Sequence, residues 1–218
     1  DGIFNRSLEA ERVWNFEYGI KWHGRKLTGS LVAYRYQLSN TIVSRRDSSG
    51  ADFYVNAGKA RQTGIEAEIN YLHEFSGTIL KNYFVKGSYS MQNAVFVKYE
   101  KANAVYDGNK LTGVAPNLAS ALGELVMRNG LSLRLTYQYT DLIPLNDANE
   151  FFSLPYNLLD TRIGWAMKFR KTTANIFFSW FKSFNSVYSL GNDLNAAGNR
   201  YFNPAVPELW QAGCRFEW

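Results

Sequence analysis

From Trp210 to its last residue the chain changes character at every step. Trp210, Ala212, Cys214, Phe216 and Trp218 fall on one side; Gln211, Gly213, Arg215 and Glu217 fall on the other. A period of two is the signature of a β-strand with one apolar and one polar face. The apolar side runs to a terminal aromatic, where a chain in water normally frays. Two architectures accept such a strand. One is a soluble β-sandwich. The other is a transmembrane barrel, whose outer face meets lipid and whose last aromatic sits at the interface.

The same alternation recurs upstream. Trp14, Phe16, Tyr18, Ile20 and Trp22 alternate with Asn15, Glu17, Gly19 and Lys21. At ~3.3 Å rise and ~45° tilt the two tryptophans lie about 19 Å apart along a membrane normal, near the height of an apolar band between two aromatic girdles. In the next strand Val32, Tyr34, Tyr36 and Leu38 are expected to share a face against Arg35 and Gln37, although Leu31 and Ala33 then fall on the polar side. Residues 53–72 read as one long strand in two parts. Asn56, Gly58 and Ala60 suggest a bulge, after which Thr63, Ile65, Ala67, Ile69 and Tyr71 oppose Gly64, Glu66, Glu68 and Asn70. Further alternating runs cover 83–91, 119–127, 131–139, 159–167 and 174–180, and Asn129-Gly130 is a strong hairpin signal.

These runs make about nine strands, and their connections alternate in length. The short ones are at 23–26, 73–77, 129–130 and 168–171; the long ones are near 47–52, 99–110, 144–150 and 192–204. Outer-membrane barrels have this asymmetry, with tight periplasmic turns and longer external loops. A sandwich has no need of it. Composition agrees: aromatics reach 16%, yet mean hydropathy is −0.30, and no apolar run approaches a membrane helix. That suits a barrel in which every second residue faces water. The fold class is therefore all-β, a transmembrane antiparallel β-barrel. An odd strand count is unlike the even number of a complete bacterial barrel. The first strand also starts on the outer side, so the chain is expected to be the tail of a longer one.

Other functions fit poorly. The net charge is +5, but the aromatics alternate away from the charges, so no nucleic-acid partner is expected. A single cysteine excludes an internal disulfide. The chain starts Asp1-Gly2, so any targeting segment was removed or lies upstream. His23 and His73 both fall on predicted periplasmic turns. No metal, no cofactor and no catalytic constellation is expected, because such chemistry would need His beside Ser or Asp on the outer rim, or clustered His and Cys.

Several motifs resemble the C-terminal barrel segment of TonB-dependent outer-membrane receptors. The stretch Leu8-Glu9-Ala10-Glu11-Arg12-Val13-Trp14-Asn15-Phe16-Glu17-Tyr18-Gly19 resembles the family's "leaE-x-x-x-N-x-E-x-G". Asn56-Ala57-Gly58-Lys59-Ala60 through Gly64-Ile65-Glu66-Ala67-Glu68 resembles "N-x-G-x-A-x-x-x-G-x-E-x-E", the most specific match. Leu111-Thr112-Gly113-Val114-Ala115-Pro116 resembles the family's loop-to-strand entry "L-x-x-x-P" with one residue more before the proline, and Tyr201-Phe202-Asn203-Pro204 with the final Phe216-Glu217-Trp218 resembles the family's finish. Two departures stand out: Trp180-Phe181-Lys182-Ser183-Phe184-Asn185 replaces an Asn-Leu-Phe, and Trp218 replaces a terminal Phe.

The resemblance implies a bacterial outer-membrane location and a 22-stranded barrel filled by an N-terminal plug. It also implies TonB-energised import of siderophore-iron, haem, cobalamin, glycans or peptides. Its partners would be the rest of the receptor (plug and N-terminal strands), outer-membrane lipid, and TonB through a region this chain lacks. The chain would not be an enzyme. A small self-contained barrel acting as passive pore, adhesin or enzyme is the alternative.

Site expectations follow from the strand parity. The inward polar set is Glu17, Arg35, Glu66, Glu68, Lys86, Gln92, Glu124, Arg134, Asp160, Arg162, Arg215 and Glu217. Within it, Glu66, Glu68, Arg134, Arg162 and Arg215 are expected to face a plug. Arg45, Arg46, Asp47, Tyr106, Asp107 and Asn146 on the outer loops are expected to contact substrate, since loops on a rigid scaffold carry recognition.

Overall fold

The computed structural model of the chain describes residues 7–46, 50–101, 104–184 and 187–218. Its strands are β1 (Arg12–His23), β2 (Leu27–Ser39), β3 (Ile42–Arg46), β4 (Asp52–Asn56), β5 (Lys59–Glu74), β6 (Leu80–Lys98), β7 (Glu100–Lys101), β8 (Ala104–Val105), β9 (Asn117–Met127), β10 (Leu131–Thr140), β11 (Tyr156–Phe169), β12 (Thr172–Ser183) and β13 (Glu208–Glu217). Nine form one sheet in the order β1-β2-β5-β6-β9-β10-β11-β12-β13, while β3–β4 and β7–β8 are separate two-stranded hairpins. Every ladder of the large sheet is antiparallel. Short turns close one end of the sheet and long connections close the other, as the sequence pattern predicts.

Direct cross-strand partners share a face, so the register sorts the side chains. One continuous row runs Ile20–Leu31–Ala67–Tyr89–Ala119–Tyr139. At the other edge Ile163, Phe178 and Ala212 line up in the same way. This is the apolar face. It stays open to solvent: Tyr18 is 79% exposed and Phe16 60%. So large a contiguous apolar surface marks a lipid or protein contact.

Aromatic and polar groups border the apolar face at both ends. At the turn end Tyr71, His73, Phe75 and Tyr83 pack ring against ring, Lys26 Nζ lies 3.3 Å from His73 Nδ1, and the Trp165 indole N–H donates to Asn129 O. At the loop end Tyr89 donates to Asn117, which donates to Asp141, and Trp180 stacks on Trp210 while donating to Glu208.

Two expectations need correction. On β2 the faces are exchanged. Leu31 and Ala33 lie opposite Ile20 and Tyr18 on the apolar face, and Arg35 lies there too, between Phe16 and Thr63. Val32, Tyr34 and Tyr36 face the polar side. A strand with apolar residues on both faces takes its register from its neighbours, and β1 and β5 decide it. Arg35 therefore leaves the inward set. The second correction is at residues 53–72, which are two strands. β4 pairs back on β3, and the chain breaks at Ala57-Gly58 before β5 begins. Gly58 has φ +71°, and a Cβ there would strike the Lys98 carbonyl oxygen, so glycine is required. Asn56 fastens the break. Its side chain accepts from Glu9 N and donates to the carbonyls of Glu9 and Asn40.

Strand β6 has 19 residues, about 60 Å at ~3.3 Å each, far more than an apolar band of ~25 Å requires. Its last third runs on past the ladder with β9, which ends at Met91, and carries Phe96 into a cluster with Ala57 and Tyr99.

Candidate functional site

The polar face carries paired charges and a shallow crevice. Glu68 accepts from Lys86 (3.0 Å) and Asn70 (2.9 Å), and Arg134 donates to Glu124 at 2.9 Å. Arg134 and Arg162 are direct cross-strand partners, an arrangement that like charges disfavour. Each finds relief elsewhere: Arg134 on Glu124, Arg162 over the Phe177 ring at 3.8 Å to the centroid. The Phe177 ring lies across Gly213, where a Cβ would approach it to 2.6 Å. Arg215 lies 3.9 Å from Glu217. A crevice of about 440 Å³ runs past Val32, Glu66, Glu68, Ser88, Ser90 and Ser120. Of the five residues expected to meet a plug, all share this face. Glu66 and Glu68 line the crevice, and Arg134, Arg162 and Arg215 lie towards the C-terminal edge of the sheet.

Near the loop end of this face is a cluster of which strand periodicity singles out only Gln92. Tyr34 is buried, and its hydroxyl meets Gln92 (3.2 Å) and Gln62 (3.3 Å), which also bond to each other. Gln92 donates to Ala115 O and its amide to Pro116 O. Gly64 makes room: a Cβ there would meet the Tyr34 ring at 2.6 Å. Period two does not mark Tyr34, because β2 is apolar or aromatic on both faces.

The loops have dry interiors of their own. Ala57, Phe96 and Tyr99 form one cluster, with Tyr106, Leu111 and Val43 against it. Leu145, Ala196 and Tyr201 form a second, with Ile143, Phe151 and Leu194. Asp147 joins them. Only 3% exposed, it accepts from Tyr99 (3.2 Å), Thr112 (2.6 Å) and Asn195 (3.1 Å), while its carbonyl accepts from Asn109. Burial pushes the Tyr201 hydroxyl up in pKa. Desolvation also pushes the Asp141 carboxyl up, yet hydrogen bonds from Asn117, the Leu142 amide and Tyr139 hold it below its ordinary range.

The residues expected to contact substrate divide accordingly. Arg45 and Arg46 lie on β3, paired with Phe53 and Asp52. Asp47 lies outside the described residues. Tyr106 packs on Tyr99 at 5.3 Å, Asp107 accepts the Tyr99 amide at 2.8 Å, and Asn146 accepts the Glu150 amide at 2.9 Å. These three thus help to hold the loops in shape. Asp147, one residue further on, is the hub; a lone aspartate in a polar loop gives no periodic signal.

Residues 2–178 match the family model described as TonB dependent receptor-like, beta-barrel. The chain belongs to this receptor family. Its fold recurs in solved receptors at low identity. The ferric preacinetobactin receptor BauA from Acinetobacter baumannii matches with TM-score 0.70 at 15% identity, over 93% of this chain and 29% of that one. The ferric-catecholate import receptor Fiu from E. coli K12 gives 0.67 at 16%, over 95% and 28%. The ferric yersiniabactin uptake receptor FyuA from Yersinia pestis gives 0.63 at 18%, over 94% and 29%. The chain thus spans less than a third of each of these structures. The family-like motif from Asn56 to Glu68 has a physical content: Asn56 and Gly58 make the break, Gly64 admits Tyr34, and Glu66 and Glu68 line the crevice of the polar face.

Proposed function

We propose that this chain is the C-terminal portion of the barrel of a bacterial outer-membrane receptor that imports a ferric siderophore with energy delivered through TonB. The observation that carries the reading is the register: nine strands with one continuous apolar face, one ion-paired polar face, and all long connections at one end. Lipid meets the apolar face and the long loops face outwards. The names of BauA, Fiu and FyuA all specify a ferric chelate, which favours that substrate class over haem, cobalamin, glycans or peptides. Glu66, Glu68, Arg134, Arg162 and Arg215 receive a plug supplied by the rest of the receptor. Recognition falls to the loop end. There Arg45, Arg46 and Asp47 would contact the ligand, beside loops shaped by Tyr106, Asp107 and Asn146.

The test has two arms. Protein extracted from its own outer membrane is weighed intact, and uptake of labelled ferric siderophores is followed under iron limitation with and without TonB. A chain several times heavier than 24.9 kDa, with TonB-dependent uptake lost on deletion, is the expected result. A lone species of that mass and unaltered uptake would overturn the reading in favour of a small pore, adhesin or barrel enzyme.

A further inference from the structure

The ladder between β1 and β2 stops at the pair Arg12 and Ser39, and the chain then turns away from the sheet. Asn40 makes the turn with a left-handed φ of +55°. Two residues on, Ile42 opens β3, which pairs only with β4. Leaving a ladder frees backbone groups, and each needs a new partner. Here side chains supply them. Glu11 Oε2 accepts the Ile42 amide at 3.0 Å, and Glu9 Oε2 accepts from Asn40 Nδ2 at 2.7 Å. Asn56 Oδ1 accepts the Glu9 amide at 2.9 Å, while Asn56 Nδ2 donates to the carbonyls of Glu9 (2.9 Å) and Asn40 (2.8 Å).

These bonds tie together the stretch entering β1, the start of β3 and the end of β4. The first carries Glu9 and Glu11 of one family-like motif, and the last carries Asn56 of the other, so the two motifs meet at the base of a hairpin. The base has a second seat. Thr41 N donates to Gly58 O, Ala57 N donates to Thr41 O, and Val43 packs against the cluster of Ala57, Phe96 and Tyr99. Beyond the base the hairpin is a two-stranded sheet of its own, and such a sheet is marginal by itself. Its direction is therefore set where it is rooted.

We propose that Glu9 and Glu11 are positioning residues for ligand capture: their carboxylates brace the base of the β3–β4 hairpin and fix the direction in which it leaves the wall. They act through the hairpin and not on the ligand itself. The inference rests on the reading that gives recognition to Arg45 and Arg46 on this hairpin. A brace of this kind sets affinity. Apparent affinity falls with the fraction of molecules whose hairpin is in place, while a ligand once captured moves on at its usual rate. Each bond needs an acceptor oxygen and not a charge, because the donors are the neutral Ile42 amide and the Asn40 side-chain amide. Glutamine keeps that oxygen and alanine removes it, so the two substitutions separate a brace from a charge effect.

The test uses the protein purified from its own outer membrane, with hydrogen exchange followed by mass spectrometry in the absence of ligand. Glu9→Ala/Glu11→Ala should raise exchange over residues 42–56 about fivefold or more and leave β1, β2 and β5 at their wild-type rates. Glu9→Gln/Glu11→Gln should stay within about twofold of wild type throughout. Uptake is then read with radio-iron-loaded catecholate and hydroxamate siderophores. The alanine variant should raise the half-saturating concentration about fivefold with the maximal rate unchanged, and the glutamine variant should restore it. Exchange that rises along the whole sheet would overturn the brace, since it marks a general loss of stability. So would unaltered exchange over residues 42–56, or a glutamine variant as fast as the alanine one. A fall in the maximal rate alone would overturn the positioning role. Should the double alanine variant fail to reach the membrane, Glu11→Ala alone carries the test, with an expected rise of about twofold over residues 42–56. Wild-type protein that imports neither chelate overturns the ferric-siderophore reading alone; the exchange measurement decides the brace by itself.

Discussion

The sheet and the loops above it are held together in different ways. Across the nine strands the two faces are both largely open, and the apolar one exposes Trp14, Phe16, Tyr18 and Ile20 at 57–79%. The largest fully buried side chains, Phe96, Leu145 and Pro144, all lie at the loop end. The sheet is therefore a wall whose hydrophobic contacts are supplied by its surroundings. The loops bury their own core. The difference teaches that strand register alone does not stabilise such a wall: a membrane must complete it, whereas the loop platform needs none.

Mutations on either side of that divide can break or sharpen it. The largest effect is expected from Leu145→Ala, about 3–4 kcal/mol because a dry loop core loses a fully buried side chain. Hydrogen exchange should show the loss confined to residues 143–151 and 194–201. A matching drop in the unfolding midpoint of the whole barrel would mean that sheet and loops form one unit. Next comes a paired test within the sheet. Leu135→Arg, on the apolar face, should cost about 2–4 kcal/mol in phospholipid vesicles, and Thr136→Arg, one residue on and facing the lumen, far less. Urea titration in vesicles reads both, and equal costs would contradict the two-faced wall. Asp147→Ala should cost about 1–3 kcal/mol by leaving buried donors of Tyr99, Thr112 and Asn195 without their acceptor. Limited proteolysis should then cut all three loops sooner, and cleavage restricted to one loop would sink the hub. The smallest effect is Glu68→Gln. Its partner Lys86 and Glu68 itself are each about two-fifths exposed, so the loss of the pair should stay below about 1 kcal/mol. A larger shift in the barrel's midpoint would show that the lumen is drier than these exposures imply.

How far the sequence could be read follows the same divide. Wherever one face was strictly apolar, as from Leu131 to Tyr139 or Trp210 to Trp218, period two placed the strand and its faces, and the parity of short and long connections placed its ends. β2 failed because Leu31, Val32, Ala33 and Tyr34 are apolar or aromatic on both sides, so its own pattern could not choose between faces; only β1 and β5 could. The break at Ala57-Gly58 was legible as a disturbance and not as a new hairpin, since β4 departs from the sheet by a backbone turn that composition hints at and does not specify. Parity alone was enough to put Glu66, Glu68, Arg134, Arg162 and Arg215 on one polar face. The loops obey no period. Tyr106, Asp107 and Asn146 were chosen for their chemistry, and the fold spends them on internal contacts around Asp147, which no spacing rule marks.

The order of the sheet has a kinetic meaning. Each strand lies beside its predecessor in the wall, with only the β3–β4 and β7–β8 excursions between, so every ladder joins segments close along the chain. Local pairings carry little loop-closure entropy and form early. A wall of this kind can assemble hairpin by hairpin. The slow step is expected at its margins, where β1 and β13 run in the same direction and each has one edge without a neighbour among the described residues.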